Sequence, residues 1–274
     1  MSEDETRRRR MADERARPEL PPVVARMWGR EPVSRRGPKP SLDLARITTA
    51  AMEIADAEGL SSVSMSSVAA RLGVAPMSLY RYVGSKDELL VAMLDAVSEE
   101  PPPLGDLSRR EYLYAWTKAN ADLLVSRPWT LSIARGGPPM GPRGLRWLDR
   151  LLSALADTPL HEGEKIGIAT TLSGYALSQA SLIIALAPER VGTHLPPSST
   201  VYGELLAELV DEDSYPALTS AVRSQAFVAD PSDWYGQDTD FRFGLDLLLD
   251  GIEALIASRT PSADTRTPSA DTRA

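Results

Sequence analysis

The stretch that decides the fold is residues 42–94, which read LDLARITTAAMEIADAEGLSSVSMSSVAARLGVAPMSLYRYVGSKDELLVAML. Apolar residues recur in it at helical spacing, and helix start and stop signals divide it into four pieces. A long first helix ends at Gly59, a second ends at Gly73, and a very short third follows over 76–82. Ser85 opens a long fourth helix with the capping-box pattern Ser-Lys-Asp-Glu, whose glutamate is expected to accept from the Ser85 amide. The sequence therefore predicts a long, short, short, long series of helices.

The two short helices and the tight turn between them are typical of a helix-turn-helix. Gly73 permits the turn, and Ala69 is small enough for the helices to pack closely. In the second short helix, Leu79 and Val83 are placed to face the core. The remaining hydroxyl, aromatic and arginine side chains then form an outer face that suits DNA, made of Ser78, Tyr80, Arg81 and Tyr82.

This stretch resembles the TetR/AcrR-type bacterial transcriptional regulators, whose pattern A…G…S…VA…LGV…LY.Y…K.EL it follows nearly throughout. Two later segments, 143–157 (RGLRWLDRLLSALAD) and 241–255 (FRFGLDLLLDGIEAL), resemble the tetracycline-repressor-like C-terminal domain of one branch of that family. The resemblance implies an N-terminal three-helix DNA-binding domain, followed by a larger helical domain for ligand binding and dimerisation.

The resemblance also implies which residues contact DNA. The positions that match the family's base and backbone contacts are Ala75, Pro76, Met77, Ser78, Tyr80 and Tyr82. Lys86 matches a phosphate-binding lysine at the next helix N-terminus, where free amides favour an anion and a lysine adds a contact that does not read sequence. The alternative is that the tyrosines are packing aromatics and Lys86 is a solvated helix-end charge.

Two further groups of residues are predicted near the DNA backbone. Ser64 and Ser66 begin the helix that precedes the recognition helix. Arg35 and Arg36 precede the first helix, and we expect them to form a flexible basic arm along or in the minor groove. A solvated tail is the alternative for this arm.

The rest of the chain divides into tails and a second helical region. Residues 1–40 mix arginines with Pro-rich runs and predict a flexible tail, and 259–274 contain TPSADTR twice and predict a disordered one. The run 101–105, PPPLG, forbids a continuous helix because proline lacks the backbone donor. It separates a helix-turn-helix domain at 41–100 from a helical regulatory and dimerisation domain at 104–258. Strand signals are almost missing, so the predicted fold class is all-α.

The second region is predicted to hold six helices, of which the first opens with the capping box Ser108 to Glu111. The predicted ranges are 108–126, 143–156, 162–187, 201–210, 217–227 and 241–258. Residues 166–188 carry no charge and are about as long as a membrane span. Their threonine, serine and glutamine residues favour a buried helix of a soluble domain over a span, and no membrane partner is expected.

Composition excludes several classes of function. The 274 residues are 43% hydrophobic and 25% charged, as in an ordinary globular protein. Cysteine is absent, which excludes disulfides, thiolate zinc sites and a cysteine nucleophile. The net charge is −8, but residues 30–86 hold eight basic and five acidic residues, whereas 101–274 hold fifteen basic and twenty-two acidic. No apolar run follows the Arg-rich N-terminus, so a signal peptide is not expected and the predicted location is cytoplasmic.

A homodimer is expected because helix-turn-helix proteins usually pair two copies, about 34 Å apart, on a palindromic site. The predicted dimer surfaces are helices 166–187 and 241–258, and the resemblance implies a four-helix bundle of the same pair. The second helix carries a wide apolar stripe made of Phe241, Leu245, Leu248, Leu249, Ile252, Leu255 and Ile256. The alternative is that these helices are simply core.

The remaining helices are predicted to enclose a pocket for a small-molecule effector, with aromatic walls and a few polar groups. Its predicted lining residues are Tyr112, Trp116, Trp129, Trp147, Tyr175 and Gln179. Any one of them is more often core than a ligand contact. The irregular loop 135–142 is expected to move with this pocket. His161 and His194 show no metal-ligand spacing, so neither a metal site nor a cofactor is predicted.

Taken together, these features predict a sequence-specific DNA-binding regulator, a repressor that a small-molecule effector releases from a palindromic operator in double-stranded DNA. The alternatives are control by a protein partner, ligand-independent action, and activation instead of repression. An enzyme is not expected, because the acidic residues 211–213 form one contiguous solvated run. Neither a Gly-rich phosphate loop nor a Ser-His-Asp order is visible.

Overall fold

The structure is a computed structural model that describes residues 20–30, 42–186, 199–227 and 239–260. Within these ranges it is all-helical, which confirms the predicted fold class. The twelve described helices are α1 (Pro22–Met27), α2 (Leu44–Glu58), α3 (Met65–Leu72), α4 (Pro76–Leu79), α5 (Lys86–Val97), α6 (Arg109–Ser126), α7 (Thr130–Ala134), α8 (Pro142–Ala154), α9 (Glu162–Leu186), α10 (Ser199–Leu209), α11 (Pro216–Arg223) and α12 (Thr239–Arg259).

The chain forms two compact units. The first contains the residues up to Glu99 together with Ile133–Leu145, and the second contains Glu100–Ser132 and the residues from Arg146 onward. The division at Glu99 lies next to the PPPLG run. The sequence did not predict that Ile133–Leu145 would belong with the N-terminal unit, so α8 begins in the first unit and continues in the second.

Helix α2 begins at Asp43, whose carboxylate accepts from the Arg46 amide at 2.8 Å, and it ends at Gly59. It packs on the 3-10 turn Leu60–Ser62, on α3 and on α5. The core of this unit consists of fully buried apolar side chains that include Ile47, Val63, Val68, Leu79, Val83, Leu89 and Met93. Leu79 and Val83 therefore face inward, as the helical spacing predicted.

The start of α5 differs in one bond from the capping box that the sequence suggested. The Ser85 hydroxyl accepts from the Glu88 amide at 3.1 Å, as expected. The Glu88 carboxylate, however, accepts from the Gly84 amide at 2.7 Å instead of the Ser85 amide. The glutamate side chain is long enough to reach the amide of Gly84, which precedes Ser85, so the cap forms with Gly84 as the donor.

Helix α1 contradicts part of the predicted tail at 1–40. Val23 and Val24 are 1% and 2% exposed, and α1 packs against α5. The expectation of a flexible tail is therefore wrong for residues 22–27. Six residues that begin with proline and hold two adjacent valines are too short to show a helical period, and only their burial reveals the helix.

Within the first unit, hydrogen bonds join the segment Ile133–Leu145 to the C-terminal end of α5. Asp95 Oδ1 accepts from the amides of Arg143 and Gly144, at 2.9 Å each, and so caps the start of α8. The Arg143 guanidinium donates to the Ala96 carbonyl at 2.7 Å, beside the end of α5. The two helices therefore cap each other, and the loop expected to move with a pocket is tied to the DNA-binding unit.

The second unit is built on α6, α9 and α12, which pack on one another. The predicted capping box at Ser108 and Glu111 is present in full and opens α6. Tyr175 on α9 donates from its hydroxyl to the Phe241 carbonyl at 2.7 Å, which joins α9 to α12. The buried cluster between these helices includes Leu113, Leu151, Leu155, Leu172, Ala176, Leu245 and Leu249.

The apolar stripe that was expected to form the dimer surface on α12 lies in this core instead. Phe241, Leu245, Leu249 and Ile252 are buried, and Leu248, Leu255 and Ile256 pack partly buried against them. The assignment to the dimer surface is therefore wrong for Phe241, Leu245, Leu249 and Ile252, and it stays a prediction for the three residues that are only partly buried. Two other apolar residues of α12, Phe243 and Leu247, are 68% and 60% exposed.

Helix α9 was predicted to be buried, but it buries only one face. Ile168, Leu172 and Ala176 are buried, whereas Ile166 and Leu182 are each 44% exposed. Among the described residues, Glu162–Ala185 is long and apolar enough to cross a membrane, judged by length and composition alone. The outward face is rich in small and hydroxyl residues, because it also carries Gly167, Thr170, Thr171, Gly174 and Ser178.

Candidate DNA interface and regulatory unit

The recognition segment, α4 with the turn that follows it, is buried on one side and exposed to solvent on the other. Helix α3 begins at Ser64 and ends at Gly73, which adopts the left-handed conformation at φ 68° and lets the chain turn sharply into α4. Ala75 precedes α4, and Pro76 occupies its first turn. Because Leu79 is fully buried on the opposite side of this single turn, the neighbouring side chains are left outside.

The structure brings the predicted recognition residues together on α4 and the turn that follows it. Met77 is 72% exposed and Tyr80 is 47% exposed, and Ala75 and Pro76 are also exposed. Ser78 and Tyr82 are half-buried. The helix is shorter than the predicted 76–82, because residues 80–82 form a turn in which the Tyr82 amide donates to the Leu79 carbonyl. A protruding methionine and tyrosine offer apolar and hydroxyl contacts to base edges and phosphates.

Lys86 is exposed at the first position of α5, directly after the Ser85 cap. Asp87 and Glu88 follow it in the same turn, so this helix N-terminus carries both signs of charge. The Glu88 carboxylate is turned toward the Gly84 amide. The position suits a lysine that binds a phosphate without reading a base.

The predicted serines differ in what they do in this structure. The Ser64 hydroxyl accepts from the Ser67 amide at 3.0 Å and also bonds the Ser67 hydroxyl, so it serves as the cap of α3. Ser66 is exposed in the first turn of α3 and is the freer of the two for a phosphate. Arg35 and Arg36, the predicted arm, lie outside the described residues.

Sequence reasoning missed one residue at this interface. Arg26 of α1 donates to the Tyr82 carbonyl, and its guanidinium carbon lies 5.3 Å from the centroid of the Tyr82 ring. The signal in the sequence was weak, since Arg26 belongs to a short segment with no periodicity in a Pro-rich and Arg-rich region.

The aromatic residues expected to line a pocket are packed into the core of the second unit. Tyr112, Trp116, Trp129 and Trp147 are all under 9% exposed. The Trp116 indole donates to the Trp147 carbonyl at 3.0 Å, and the two rings meet edge to face at 5.8 Å. The Tyr112 hydroxyl donates to the Pro102 carbonyl at 3.2 Å, and burial raises its pKa to about 12. Gln179, on α9, is half-buried.

An open cleft of about 250 Å³ lies elsewhere in this unit, between α6 and α12. Its lining residues are Arg110, Glu111, Tyr114, Arg242, Asp246 and Leu249, none of which was predicted to line a pocket. Arg110 donates to Asp246 at 2.8 Å and to Asp250 at 2.7 Å across this cleft. The hydrogen bond with Asp250 is the main reason that the pKa of Arg110 is raised.

The chain has two histidines, of which His161 lies within the described residues. His161 Nδ1 accepts from the Glu164 amide at 3.2 Å and so caps the start of α9. His194 lies outside the described residues. Within the described ranges, no three histidine or acidic residues are gathered as a metal site would require.

Two protein families match the chain. Residues 47–93 match the bacterial regulatory proteins of the tetR family, and residues 101–256 match the tetracyclin repressor-like C-terminal domain. The chain is 37% identical over 241 residues to the HTH-type transcriptional repressor DrrR1 of Streptomyces coeruleorubidus, and the match covers 85% of each protein. It is 30% identical over 232 residues to an HTH-type transcriptional regulator of Saccharopolyspora erythraea, covering 83% of this chain and 91% of that protein.

Solved structures agree with these matches. The ActR protein of Streptomyces coelicolor in complex with actinorhodin is similar at 25% identity and a TM-score of 0.66, over 78% of this chain and 98% of ActR. ActR in complex with (S)-DNPA is similar at 26% identity and a TM-score of 0.62, over the same shares of the two chains.

The fold and its exposed recognition helix thus define a helix-turn-helix transcriptional regulator that binds DNA. The chain belongs to the tetR family of bacterial regulatory proteins and carries that family's tetracycline-repressor-like C-terminal domain. The family resemblance derived from residues 42–94 is confirmed.

Proposed function

We propose that this regulator is a repressor that binds a palindromic operator as a homodimer and is released by a small molecule. The observation that carries the DNA-binding part is the recognition segment, in which Leu79 and Val83 anchor the turn while Met77 and Tyr80 protrude. Its base and backbone contacts are Ala75, Pro76, Met77, Ser78, Tyr80 and Tyr82, with Ser64, Ser66 and Lys86 on phosphates and Arg35 and Arg36 as an arm. It works in the cytoplasm, without a catalytic step.

Dimerisation through α9 and α12 is supported by the faces that these helices leave uncovered. Phe243 and Leu247 recur one turn apart on α12, with Gly251 following at the same spacing. On α9, Gly167 and Gly174 face open space, where an added Cβ would meet nothing within 4 Å. Small residues let two helices approach closely, and large apolar ones on the same surface supply buried area. A second copy of this chain fits such a surface better than lipid does, because threonine and serine interrupt it.

Ligand control is supported by the relatives. ActR has been solved with actinorhodin and with (S)-DNPA, and it shares its fold with this chain. In this protein the effector site would be formed by the aromatic group Tyr112, Trp116, Trp129, Trp147, Tyr175 and Gln179. Because Trp116 and Tyr112 are packed and hydrogen-bonded in the described structure, a ligand must open this core to enter. Binding then shifts the population toward a dimer whose recognition helices no longer match the operator spacing.

The packed aromatic core also favours a second candidate, a regulator that no small molecule controls. In that case Trp116 and Trp147 are structural, and operator binding changes only with protein concentration, salt or a protein partner. Ligand titration distinguishes the two candidates, because only the first predicts that a compound weakens operator binding.

The first experiment is selection of bound sequences from random duplex DNA by the purified full-length protein at a stated salt concentration. Enrichment of a palindrome supports a dimeric, sequence-specific regulator and supplies the probe for the second step. That step measures operator binding against a library of small aromatic compounds, beginning with actinorhodin. A selection that enriches no sequence would overturn the proposal, and a library without any effect would favour the ligand-independent candidate.

A further inference from the structure

Helix α1 is a folded part of the DNA-binding unit that precedes the helix-turn-helix. Its two valines are buried against α5, which carries Lys86 at its first position. Two side chains at the C-terminal end of α1, Arg26 and Trp28, donate hydrogen bonds to different parts of the same unit. Both bonds are accepted by backbone carbonyls, so a side-chain substitution at Tyr82 or Met140 would leave the acceptor in place.

Arg26 binds the end of the recognition segment from the protein side. Its guanidinium donates to the Tyr82 carbonyl and lies over the Tyr82 ring, with 5.3 Å between the guanidinium carbon and the ring centroid. This carbonyl belongs to the turn in which the chain leaves α4, where helical acceptors no longer have amide partners. Arg26 therefore supplies a charged donor at the point where the recognition helix would otherwise fray.

Trp28 fixes α1 itself. Its indole N–H donates to the Met140 carbonyl at 2.9 Å, within the segment Ile133–Leu145. Arg30 lies over the Trp28 ring at 5.7 Å and is exposed. Helix α1 is thus held at its C-terminal end by one bond while its arginine holds Tyr82.

We propose that Arg26 is a positioning residue for operator recognition: it fixes the turn at 80–82 so that Tyr80 and Tyr82 meet the DNA in one geometry. The proposal rests on the proposed function, since it assumes that this turn contacts DNA. Arg26 acts through Tyr82 and not on a phosphate, because its charge is engaged by a carbonyl and an aromatic face inside the protein. Its removal should therefore reduce sequence preference and leave the electrostatic part of binding unchanged.

The test compares full-length Arg26→Ala with Arg46→Ala, which removes the same charge from an exposed position near the start of α2. Binding is measured to the selected operator and to a scrambled duplex, each over a series of salt concentrations. We expect Arg26→Ala to lower operator affinity about tenfold, as loss of a charged hydrogen bond would, and to change scrambled-duplex affinity less than about twofold, with the salt slope unchanged. Arg46→Ala should keep the ratio of the two affinities. Arg26→Lys should restore most of the loss, since an ammonium also donates to the carbonyl and lies over the ring.

Several results would overturn the inference. Equal losses of Arg26→Ala on both duplexes, together with a shallower salt slope, would make Arg26 a phosphate contact. Operator affinity equal to wild type would show that the turn needs no support. Circular dichroism and thermal melting check the fold; should Arg26→Ala unfold the unit, Arg26→Lys and Trp28→Phe carry the test. For Trp28→Phe, which removes the indole donor and keeps a smaller aromatic ring, we expect a smaller loss confined to the operator, and no loss at all overturns the inference.

The two proposals fail in different ways in this experiment. A wild-type protein that prefers no duplex overturns the proposed function and removes the basis of the inference. A wild-type protein that prefers its operator while Arg26→Ala and Trp28→Phe retain that preference overturns the inference alone.

Discussion

Gly141 and Asp95 are distant in the sequence but lie in close contact in the structure. The Asp95 carboxylate reaches the first amides of α8, and a Cβ on Gly141 would overlap that carboxylate. A Cβ on Gly144 would stand 2.7 Å from the Pro139 Cβ, which is closer than such atoms approach. The glycines are therefore required by the close approach of neighbouring groups, not by a left-handed backbone.

We expect Gly141→Ala to lower the free energy of unfolding by about 1–3 kcal/mol, because the new methyl group displaces Asp95 from the amides it caps. In an Asp95→Ala background, the further cost of Gly141→Ala should be small, since the carboxylate it would strike is gone. Chemical denaturation of the wild type, both single variants and the double variant measures this coupling. Additive costs would show that the overlap is relieved without loss of the cap.

The DNA-facing side chains should separate into those that read sequence and those that do not. Lys86→Ala should weaken binding to all duplexes and reduce the salt slope by about one, as loss of one phosphate contact would. Ser78→Ala should act chiefly on the operator. Salt-dependent titrations of operator and scrambled DNA measure both, with Lys118→Ala, whose lysine pairs with Asp122 in the second unit, as a charge-matched control. Equal effects of Lys86→Ala and Ser78→Ala on the two duplexes would contradict the assigned roles.

At the scale of elements, α9 and α12 each have two apolar faces. On α12 one of them, with Leu245 and Leu249, is buried in the chain's own core, while Phe243 and Leu247 point outward. Hydrophobic spacing alone could not tell these faces apart, because the helix is apolar over more than one stripe. The outward stripe is the one that a second copy can cover.

For that reason we expect Leu247→Asp to shift the protein toward the monomer and to weaken operator binding by at least about tenfold, since a charge would be buried at the interface. Sedimentation velocity over a range of concentrations measures the first effect. Leu107→Asp is the matched control, because Leu107 is 45% exposed but lies outside α9 and α12. A Leu247→Asp protein that stays dimeric would place the dimer surface elsewhere.

The start of α9 and the end of α12 are joined by an ion pair whose strength should depend on pH. Glu164 Oε1 accepts from Arg259 at 2.7 Å and 3.0 Å, and this bonding, together with the His161 amide, lowers the pKa of Glu164 below its ordinary value of 4.5. The carboxylate form is thus favoured by folding. Its stabilisation is present above pH 4.5 and is lost as the pH falls through the lower folded pKa.

We therefore expect Glu164→Gln to flatten the fall in stability on acidification below about pH 4.5, compared with the wild type. Urea unfolding at a series of pH values between neutral and acid gives the comparison. Glu208→Gln removes the same charge from an exposed position on α10 and should leave the acid limb of the curve as it is. An unchanged curve for Glu164→Gln would mean that the ion pair contributes nothing in solution.

Over the whole molecule, charge is unevenly distributed along the chain. The chain has a net charge of −8, yet the stretch 30–86 that holds the helix-turn-helix has more basic than acidic residues. Acidic residues are in excess in the chain after residue 86, because residues 87–100 hold five acidic and no basic residues and residues 101–274 hold twenty-two acidic and fifteen basic ones. DNA binding therefore depends on the local charge around the recognition helix and not on the net charge of the chain.

Ligand control, if it works as proposed, must be reciprocal. A compound that lowers operator affinity by a given factor should itself bind the DNA-bound protein more weakly by the same factor. Calorimetric titration of the compound into the free protein and into the operator complex measures this, beginning with actinorhodin. An affinity for the compound that operator DNA leaves unchanged would show that the compound does not release the operator by binding to the protein.

The fold class, the helix-turn-helix and most of the longer helices could be predicted from the sequence alone, because these depend on local signals. Capping serines, stop glycines and apolar spacing act within one or two turns, and residues 64–83 carry them densely. The recognition residues are those that the family resemblance of this stretch implies, and their DNA contacts stay a prediction. The sequence did not predict the helices α1 and α7, because they are too short to show a helical period.

The partners of distant residues became known from the three-dimensional structure. In it Arg26 lies against Tyr82, Asp95 caps the start of α8, and the aromatic group around Trp116 lies in a packed core. It also decided which stripe of α12 faces inward. The physical reason is that burial and hydrogen bonding between segments separated by tens of residues depend on three-dimensional packing, about which local spacing carries no information.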